Sequence, residues 1–259
     1  MQIGRADDPV TGISRATADR IEVRGRDLAG DVMGRLGFVE YFHLLLTGRE
    51  PTDDERFFLD LLLVSIAEHG LMPSNVAARI TLAADPESLQ GAVAAGILGA
   101  GPVILGAAGE CALLLAAMQA QVDAGEAPEA VAADVVHDHR ASGRRLPGFG
   151  HPLHRPLDPR AERILALAEE RGLDGPHLAL LRGLRDAVAA GFERPLTLNV
   201  SLPIAAVMLD LGYPPGAVKA VPILARTASL LAHLLEEQEH PVGFLMAARA
   251  EEAVEFRGG

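Results

Sequence analysis

Cysteine occurs once, at Cys111, and tryptophan not at all. A single thiol excludes an intrachain disulfide and fits a cytoplasmic setting. Aromatic residues make up only 4% of the 259, so the core must be built from Leu, Ala, Val and Ile. Strands draw on β-branched and aromatic side chains, so a core of this kind favours packed helices. Positive charge is also short, with 23 Lys and Arg against 35 Asp and Glu and a formal net charge of −12. Non-specific nucleic-acid binding depends on neutralising phosphates, and this balance opposes it. An anionic small molecule remains admissible, because a few local arginines can set the field inside a cleft. Residues 1–14 carry Arg5, Asp7 and Asp8 without an apolar run, and do not read as a signal peptide. The longest uncharged stretch, residues 89–109, has membrane-spanning length but is rich in Gly and Ala and is interrupted at Gly101-Pro102. It reads as helix in a small-residue core with a turn in the middle, and no membrane partner is expected.

What is present is helical periodicity punctuated by Gly and Pro. Hydrophobic residues reach 49% and charged ones 22%, ordinary for a globular chain. Residues 35–48 read as one helix. Thr52 or Asp53 can cap the next, whose apolar face runs through Leu59, Leu62, Leu63 and Ile66 toward His69. Asp158 is suited to the cap of a further helix and Pro159 to its first position. Ala161, Ile164, Leu165 and Ala168 line one of its faces, and Gly172 provides the stop. Residues 202–211 and 217–237 give two more helices, with Pro222 expected to kink or delay the second. Little of the chain alternates with period two, so the expected class is all-α.

Four places could carry chemistry. Around Pro147-Gly-Phe-Gly-His151, two glycines allow close backbone approach and exposed amides suit an anion. Arg144, Arg145 and Arg155 surround that loop, and Arg160 lies near a helix N-terminus. The segment reads equally as an anion-binding loop holding a His or as a surface turn with solvated arginines. His69, at the end of an apolar helix and before Gly70, reads first as a C-terminal cap complementing the helix dipole. Arg226 and His233 share one face of an apolar helix with Leu230 and Glu237. A buried guanidinium there needs a partner, protein or ligand, and Glu237 is too distant along the helix, so a carboxylate from elsewhere is expected, a ligand's or a structural one. His137 and His139 do not share a helical face, and no metal site is expected.

In this order, these segments resemble the citrate synthase superfamily, and most of all its short citryl-CoA lyase-like members. The resemblance rests on Tyr41-Phe-His-Leu-Leu-Leu-Thr-Gly-Arg-Glu-Pro-Thr52, Glu68-His69-Gly70 with Arg79, and Gly148-Phe-Gly-His151 with Asp158-Pro-Arg160. It continues through Leu198-Asn-Val200, Leu211-Gly-Tyr-Pro214 and Ala225-Arg226-Thr227 with His233. It implies a citrate synthase-like helical fold with a large domain at residues 1–111 and 206–259 and a small domain at 112–205. A homodimer or higher homo-oligomer would bind an acyl-CoA and a di- or tricarboxylate, with the coenzyme A thioester as substrate and no metal. By motif position, His69 and His151 would be catalytic, and Arg160 and Arg226 would bind carboxylates. Leu146, Pro147, Gly148, Phe149, Gly150 and Arg155 would bind coenzyme A.

Three positions depart from the family pattern. Leu105 stands where a His usually donates to the enolate oxygen, Ser201 stands where a catalytic carboxylate usually follows Asn-Val, and His240 replaces a carboxylate-binding Arg. Leu donates no hydrogen bond, and an unassisted Ser hydroxyl is a poor base. Ser201 reads instead as the N-cap of the helix containing Pro203. Three functions follow: a citryl-CoA lyase-like carbon–carbon lyase, a related acyl-CoA enzyme with another keto-acid acceptor, or a non-catalytic homologue that binds acyl-CoA or carboxylate. Cys111 is expected to be a buried structural thiol.

Overall fold

A computed structural model describes residues 10–192 and 195–258. Of the described residues 64% are helical, as the aromatic-poor composition favours, and internal contacts divide the chain between Asp60 and Leu61.

The first unit opens with three short antiparallel strands, β1 (Ser14–Ala16), β2 (Ile21–Val23) and β3 (Arg26–Asp27), with Ser14 opposite Val23 and Glu22 opposite Asp27. Strands this short leave no period-two signature, so the sequence reading missed them. A π-helical turn at Leu28–Val32 follows, its first amides held by the Asp27 carboxylate. The helix α1 (Phe38–Thr47) stops at Gly48, whose φ of 82° is the left-handed conformation that glycine adopts freely. Thr52 caps α2 (Asp53–Ala67): its hydroxyl accepts from Glu55 N at 3.2 Å, and its own N–H donates to the Glu55 carboxylate at 2.7 Å. This reciprocal box settles the choice between Thr52 and Asp53.

The second unit begins within α2 and continues through α3 (Pro73–Ala84), α4 (Leu89–Leu98), α5 (Ala107–Asp123), α6 (Pro128–Ser142), α7 (Pro159–Glu170), α8 (Pro176–Gly191), α9 (Ser201–Asp210), α10 (Pro215–Val218), α11 (Ala220–Glu239) and α12 (Gly243–Ala253). The turn expected at Gly101-Pro102 separates α4 from α5. Pro222 lies in the first turn of α11, where its missing N–H costs no hydrogen bond, so the helix is delayed behind α10. Ala78 and Leu82 of α3, Ala92 of α4 and Leu230 and Leu234 of α11 form one apolar cluster. A Cβ at Gly96 would stand 2.7 Å from Leu230 and 2.9 Å from the Ser74 carbonyl, so this glycine lets α4 approach its neighbours closely. Residues Leu202 to Leu209 of α9 are all buried, so this helix is apolar all round. Pro215–Glu239 is long and apolar enough to cross a membrane by length and composition alone. Its apolar side packs on α3 and α4, and it carries the buried Arg226.

Candidate active site

The second unit contains a cavity of about 410 Å³ whose wall includes His69, His151, Arg160 and Arg226. The four side chains singled out as catalytic or carboxylate-binding are thus brought together from sequence positions up to 157 residues apart. Each is placed by a different local device.

His69 follows the end of α2. The Glu68 carboxylate accepts the amides of His69 at 2.9 Å and Gly70 at 2.6 Å, so the preceding residue folds the backbone at this point. Gly70 turns the chain at a φ of 74°. Glu68 also accepts from the Ser229 hydroxyl and from His233 Nε2 at 3.0 Å. Burial pushes its carboxyl up, but the bonds from Ser229, His233 and the Gly70 amide outweigh it and hold the value at about 2. The sequence reading placed Glu68 in the motif but gave it no role. Its position directly before a candidate histidine was the available signal.

His151 stands in the glycine loop. Phe149 pairs with Leu198 in an antiparallel bridge, Gly150 N donates to Thr197 O at 2.7 Å, and Asn199 N donates to Gly148 O at 2.9 Å. These contacts revise the expectation of free amides for an anion, since the amides of Phe149 and Gly150 are spent within the protein. Gly148 is needed for its φ of 85° and because a Cβ would meet Leu202 at 2.6 Å. Of the residues expected to bind coenzyme A, Phe149 and Gly150 line the cavity. Leu146 and Gly148 are buried, and Pro147 is half-buried outside the lining. Arg155 borders an adjoining depression with Pro156, Pro195, Leu196 and Thr197, which meets the cavity at Gly150 and His151.

Donors face both ring nitrogens of His151. Its Nδ1 accepts the backbone amides of Leu153 at 3.1 Å and His154 at 2.9 Å. Arg160 Nη2 points a donor at Nε2 from 3.3 Å, and a neutral ring accepts at only one of its two nitrogens. With the proton on Nε2, a ligand oxygen beside it could accept from both His151 and Arg160. Burial, with the charges of His154 and Arg160 adding to it, lowers the His151 value to about 4 despite the opposing Asp158. Burial also lowers His69, helped by Arg160 and His154. Both rings are therefore neutral at pH 7. Among the described residues, His69 Nε2 is buried without a hydrogen-bond partner.

His154 completes a cluster in which His69, His151 and His154 each bring one ring nitrogen within 4.8 Å of the others. Three imidazoles at this distance could in principle ligate a metal, an arrangement the sequence reading did not anticipate. The donor set is poor for it. A ligating Nε2 on His151 would require a proton on Nδ1, where two amides already point.

Arg160 is fixed by Asp158, which is fully buried. The carboxylate caps α7 by accepting Arg160 N at 3.1 Å, pairs with Arg160 Nε at 3.0 Å and Nη2 at 2.8 Å, and accepts Val200 N at 3.2 Å. Asp158 and Pro159 thus occupy the predicted cap and first helical position. Arg226 is 2% exposed, and its hydrogen-bond partner among the described residues is Asn75 Oδ1 at 2.7 Å, with Nε unpartnered. The carboxylate expected beside it is absent from the ion pairs of the described residues: Glu237 pairs instead with Arg79 at 3.0 Å. Burial lowers the Arg226 value, the Glu68 charge opposes the change, and Arg160 adds to it.

Two of the three departures also face this space. Leu105 lines the cavity with Val103, Ile104, Ile66 and Met72. Ser201 lines it too, but it does not cap its helix: Val200 holds the cap position without a side-chain bond, and Asn199 Oδ1 accepts Ser201 N at 3.0 Å. The expected N-cap role is thereby corrected. Arg145, seen before only as a flanking charge, joins the lining, whereas His240 ends α11 and does not. Cys111 is fully buried, and burial pushes its thiol up, as expected of a structural cysteine.

Helical architecture and a cavity joining paired imidazoles to two guanidinia define the class. A family profile described as "Citrate synthase, C-terminal domain" matches residues 13–244, and the chain belongs to this family. It is 28% identical over 207 residues to a citrate synthase of Heyndrickxia coagulans, covering 79% of this chain and 53% of the relative. The chain thus spans about half the length of the citrate synthases it matches. It is similar in structure to citryl-CoA lyase from Hydrogenobacter thermophilus, with a TM-score of 0.85, 28% identity, and coverage of 97% and 95% of the two chains. ATP citrate lyase from Methanothrix soehngenii shares the fold at a TM-score of 0.75 and 21% identity, covering 99% of this chain and 43% of that one.

Proposed function

We propose that this protein is a citryl-CoA lyase-like carbon–carbon lyase, cleaving a citryl-CoA-type thioester into an acyl-CoA and a keto acid. The observation that carries the reading is Arg226, a buried guanidinium that forms no ion pair with a carboxylate among the described residues, although the Glu68 charge acts on it. An unpaired buried cation is costly, and a ligand carboxylate would offset the cost. The match to a citryl-CoA lyase over nearly the full length of both chains supports the same reading.

Cleavage starts with loss of the proton on the tertiary alcohol. His69, neutral and with a free ring nitrogen, accepts it. His151 Nε2–H and the Arg160 guanidinium donate to the oxygen as it becomes a carbonyl, while Arg160 and Arg226 hold carboxylates. The electron pair of the broken bond passes to the thioester enolate, which is protonated at carbon. Leu105 cannot donate to that enolate. The Ser201 hydroxyl, with no partner among the described residues, and the exposed Arg145 are the donors left in the wall. Coenzyme A would lie along the Leu146 to Arg155 segment, in the depression bordered by Arg155.

Residues 112–205 would close over the ligand as the small domain. The boundaries at 111/112 and 205/206 fall within α5 and α9, so the hinges would be the turns preceding these helices. The protein would act as a homo-oligomer in the cytoplasm.

The test is incubation with citryl-CoA while acetyl-CoA and oxaloacetate are followed. His151→Ala should lower turnover by about 10²–10⁴-fold. Unchanged turnover in that variant would remove His151 from the chemistry. A second reading, a non-catalytic acyl-CoA or carboxylate-binding homologue, is favoured by Leu105 and Ser201 standing in the wall. Tight coenzyme A binding without product formation would establish it.

A further inference from the structure

The cavity has two unlike sets of walls. Charged and imidazole groups come from His69, the 147–160 segment and α11. The turn between α4 and α5 contributes Val103, Ile104 and Leu105, and Ile66 and Met72 add to its apolar surface. The turn is a closed structure: Ile104 N donates to Gly101 O at 3.1 Å, and Gly106 N donates to the same oxygen at 2.9 Å. A Cβ on Gly106 would stand 2.7 Å from that oxygen, so the closure depends on glycine. Leu105 is held at a φ of 63°, the left-handed region that bulky side chains rarely adopt, and its side chain is 8% exposed. The fold therefore holds a leucine in a disfavoured backbone conformation and places it in the cavity wall. Val103 beside it is 70% exposed. Apolar surface of this kind is favourable only when apolar atoms cover it, and the single methyl of an acetyl group covers little.

We propose that the thioester bound here carries an apolar acyl chain longer than acetyl, with Leu105, Val103, Ile104, Ile66 and Met72 as specificity-determining residues. This rests on the acyl-CoA reading above and narrows it. The substrate is then a 3-hydroxy-3-carboxyacyl thioester bearing an alkyl group on the carbon next to the thioester carbonyl. The alcohol proton passes to a histidine, and the C–O bond becomes C=O. The C–C bond to the alkyl-bearing carbon breaks, and its electron pair forms the enolate. A proton added at that carbon releases the longer acyl-CoA and the keto acid. No oxidant or reductant is required.

Calorimetry of the full chain with coenzyme A, acetyl-CoA, butyryl-CoA and hexanoyl-CoA tests the inference. Affinity should rise roughly tenfold from acetyl to butyryl, as burial of two methylenes predicts, and rise again to hexanoyl. Val103→Asp, at an exposed position that leaves the core intact, should weaken hexanoyl-CoA about tenfold more than acetyl-CoA. Equal affinity along the series, or acetyl-CoA binding tightest, overturns the chain-length inference and leaves the lyase reading in place. Lack of binding by every thioester and by coenzyme A overturns both.

Discussion

Arg79 and Arg226 are each 2% exposed, on helices α3 and α11 that pack together, and their surroundings are opposite. Arg79 is surrounded by acceptors: Glu237 at 3.0 Å, Glu236, and His233 Nδ1 at 3.1 Å. Arg226 has an amide oxygen, with Nε left over. A guanidinium can be buried because the protein neutralises it, and it then belongs to the framework. It can also be buried with its charge unspent, and it then awaits an anion. Exposure alone does not separate the two cases; the partner inventory does.

The largest effect expected from this contrast is on the framework side. Glu237→Gln removes the buried partner of Arg79 and weakens the acceptor of the Val242 and Gly243 amides at the start of α12. Denaturant unfolding should show a loss of about 3–5 kcal/mol. A loss below about 1 kcal/mol would mean that Arg79 is not stabilised in this way.

Arg226→Gln should do the reverse. Its stability should stay within about 1 kcal/mol of the parent, because the charge removed had no ion-pair partner among the described residues. Affinity for a dicarboxylate should fall by about 1.5–3 kcal/mol, measured by calorimetry, the range for hydrogen bonds to charged groups. Destabilisation as large as that of Glu237→Gln, with binding intact, would collapse the distinction.

Glu68 lies between the two arginines, bonded to His233 and electrostatically coupled to Arg226. Its folded value of about 2 lies below the ordinary 4.5. The sign of a depressed carboxylate applies: its stabilisation is present above about 4.5 and is lost as pH falls through about 2. Glu68→Gln should flatten acid unfolding in that window, and an unaltered acid limb would remove Glu68 as its source. His151 also has a depressed value, about 4 against 6.5. The unfolded chain binds its proton first, so stability from the neutral ring is full above 6.5 and is lost as pH falls through about 4. An NMR titration of the ring should have its midpoint near 4. A midpoint at 6.5 would contradict the lowered value of this half-buried ring.

The smallest effect belongs to Ser201→Ala. Loss of one neutral donor should cost about two- to tenfold in turnover of the citryl-type thioester, corresponding to about 0.5–1.5 kcal/mol. A loss beyond 10³-fold would assign Ser201 a role as proton carrier.

The helices read from the sequence were legible because their signals are local, whereas α3, α6, α8 and α12 were not singled out. Asp158-Pro159, Thr52 with Glu55, Gly48 and Gly172 act within one turn of the backbone, and apolar periodicity needs no distant partner. The three strands of the first unit were not legible, since two- and three-residue strands are too short to alternate. At the site, motif order identified His69, His151, Arg160 and Arg226, and these meet in one cavity. The roles of Glu68, Asn75 and His154 were hidden, because each depends on groups contributed by another segment. The Ser201 cap failed for a related reason: Asn199, two residues earlier, binds the Ser201 amide, and Ser201 lines the cavity.

Sequence by itself determined the all-α class, the family and the identity of the converging side chains. Composition favoured a helical over a sheet-built core, and ordered motifs constrain identity without reference to space. Only the tertiary structure decided which buried arginine is ion-paired, that donors crowd both nitrogens of His151, and that Leu105 lines the cleft in a left-handed conformation. Those properties depend on distances between groups far apart in the chain, and charge balance and tautomer are set at such distances.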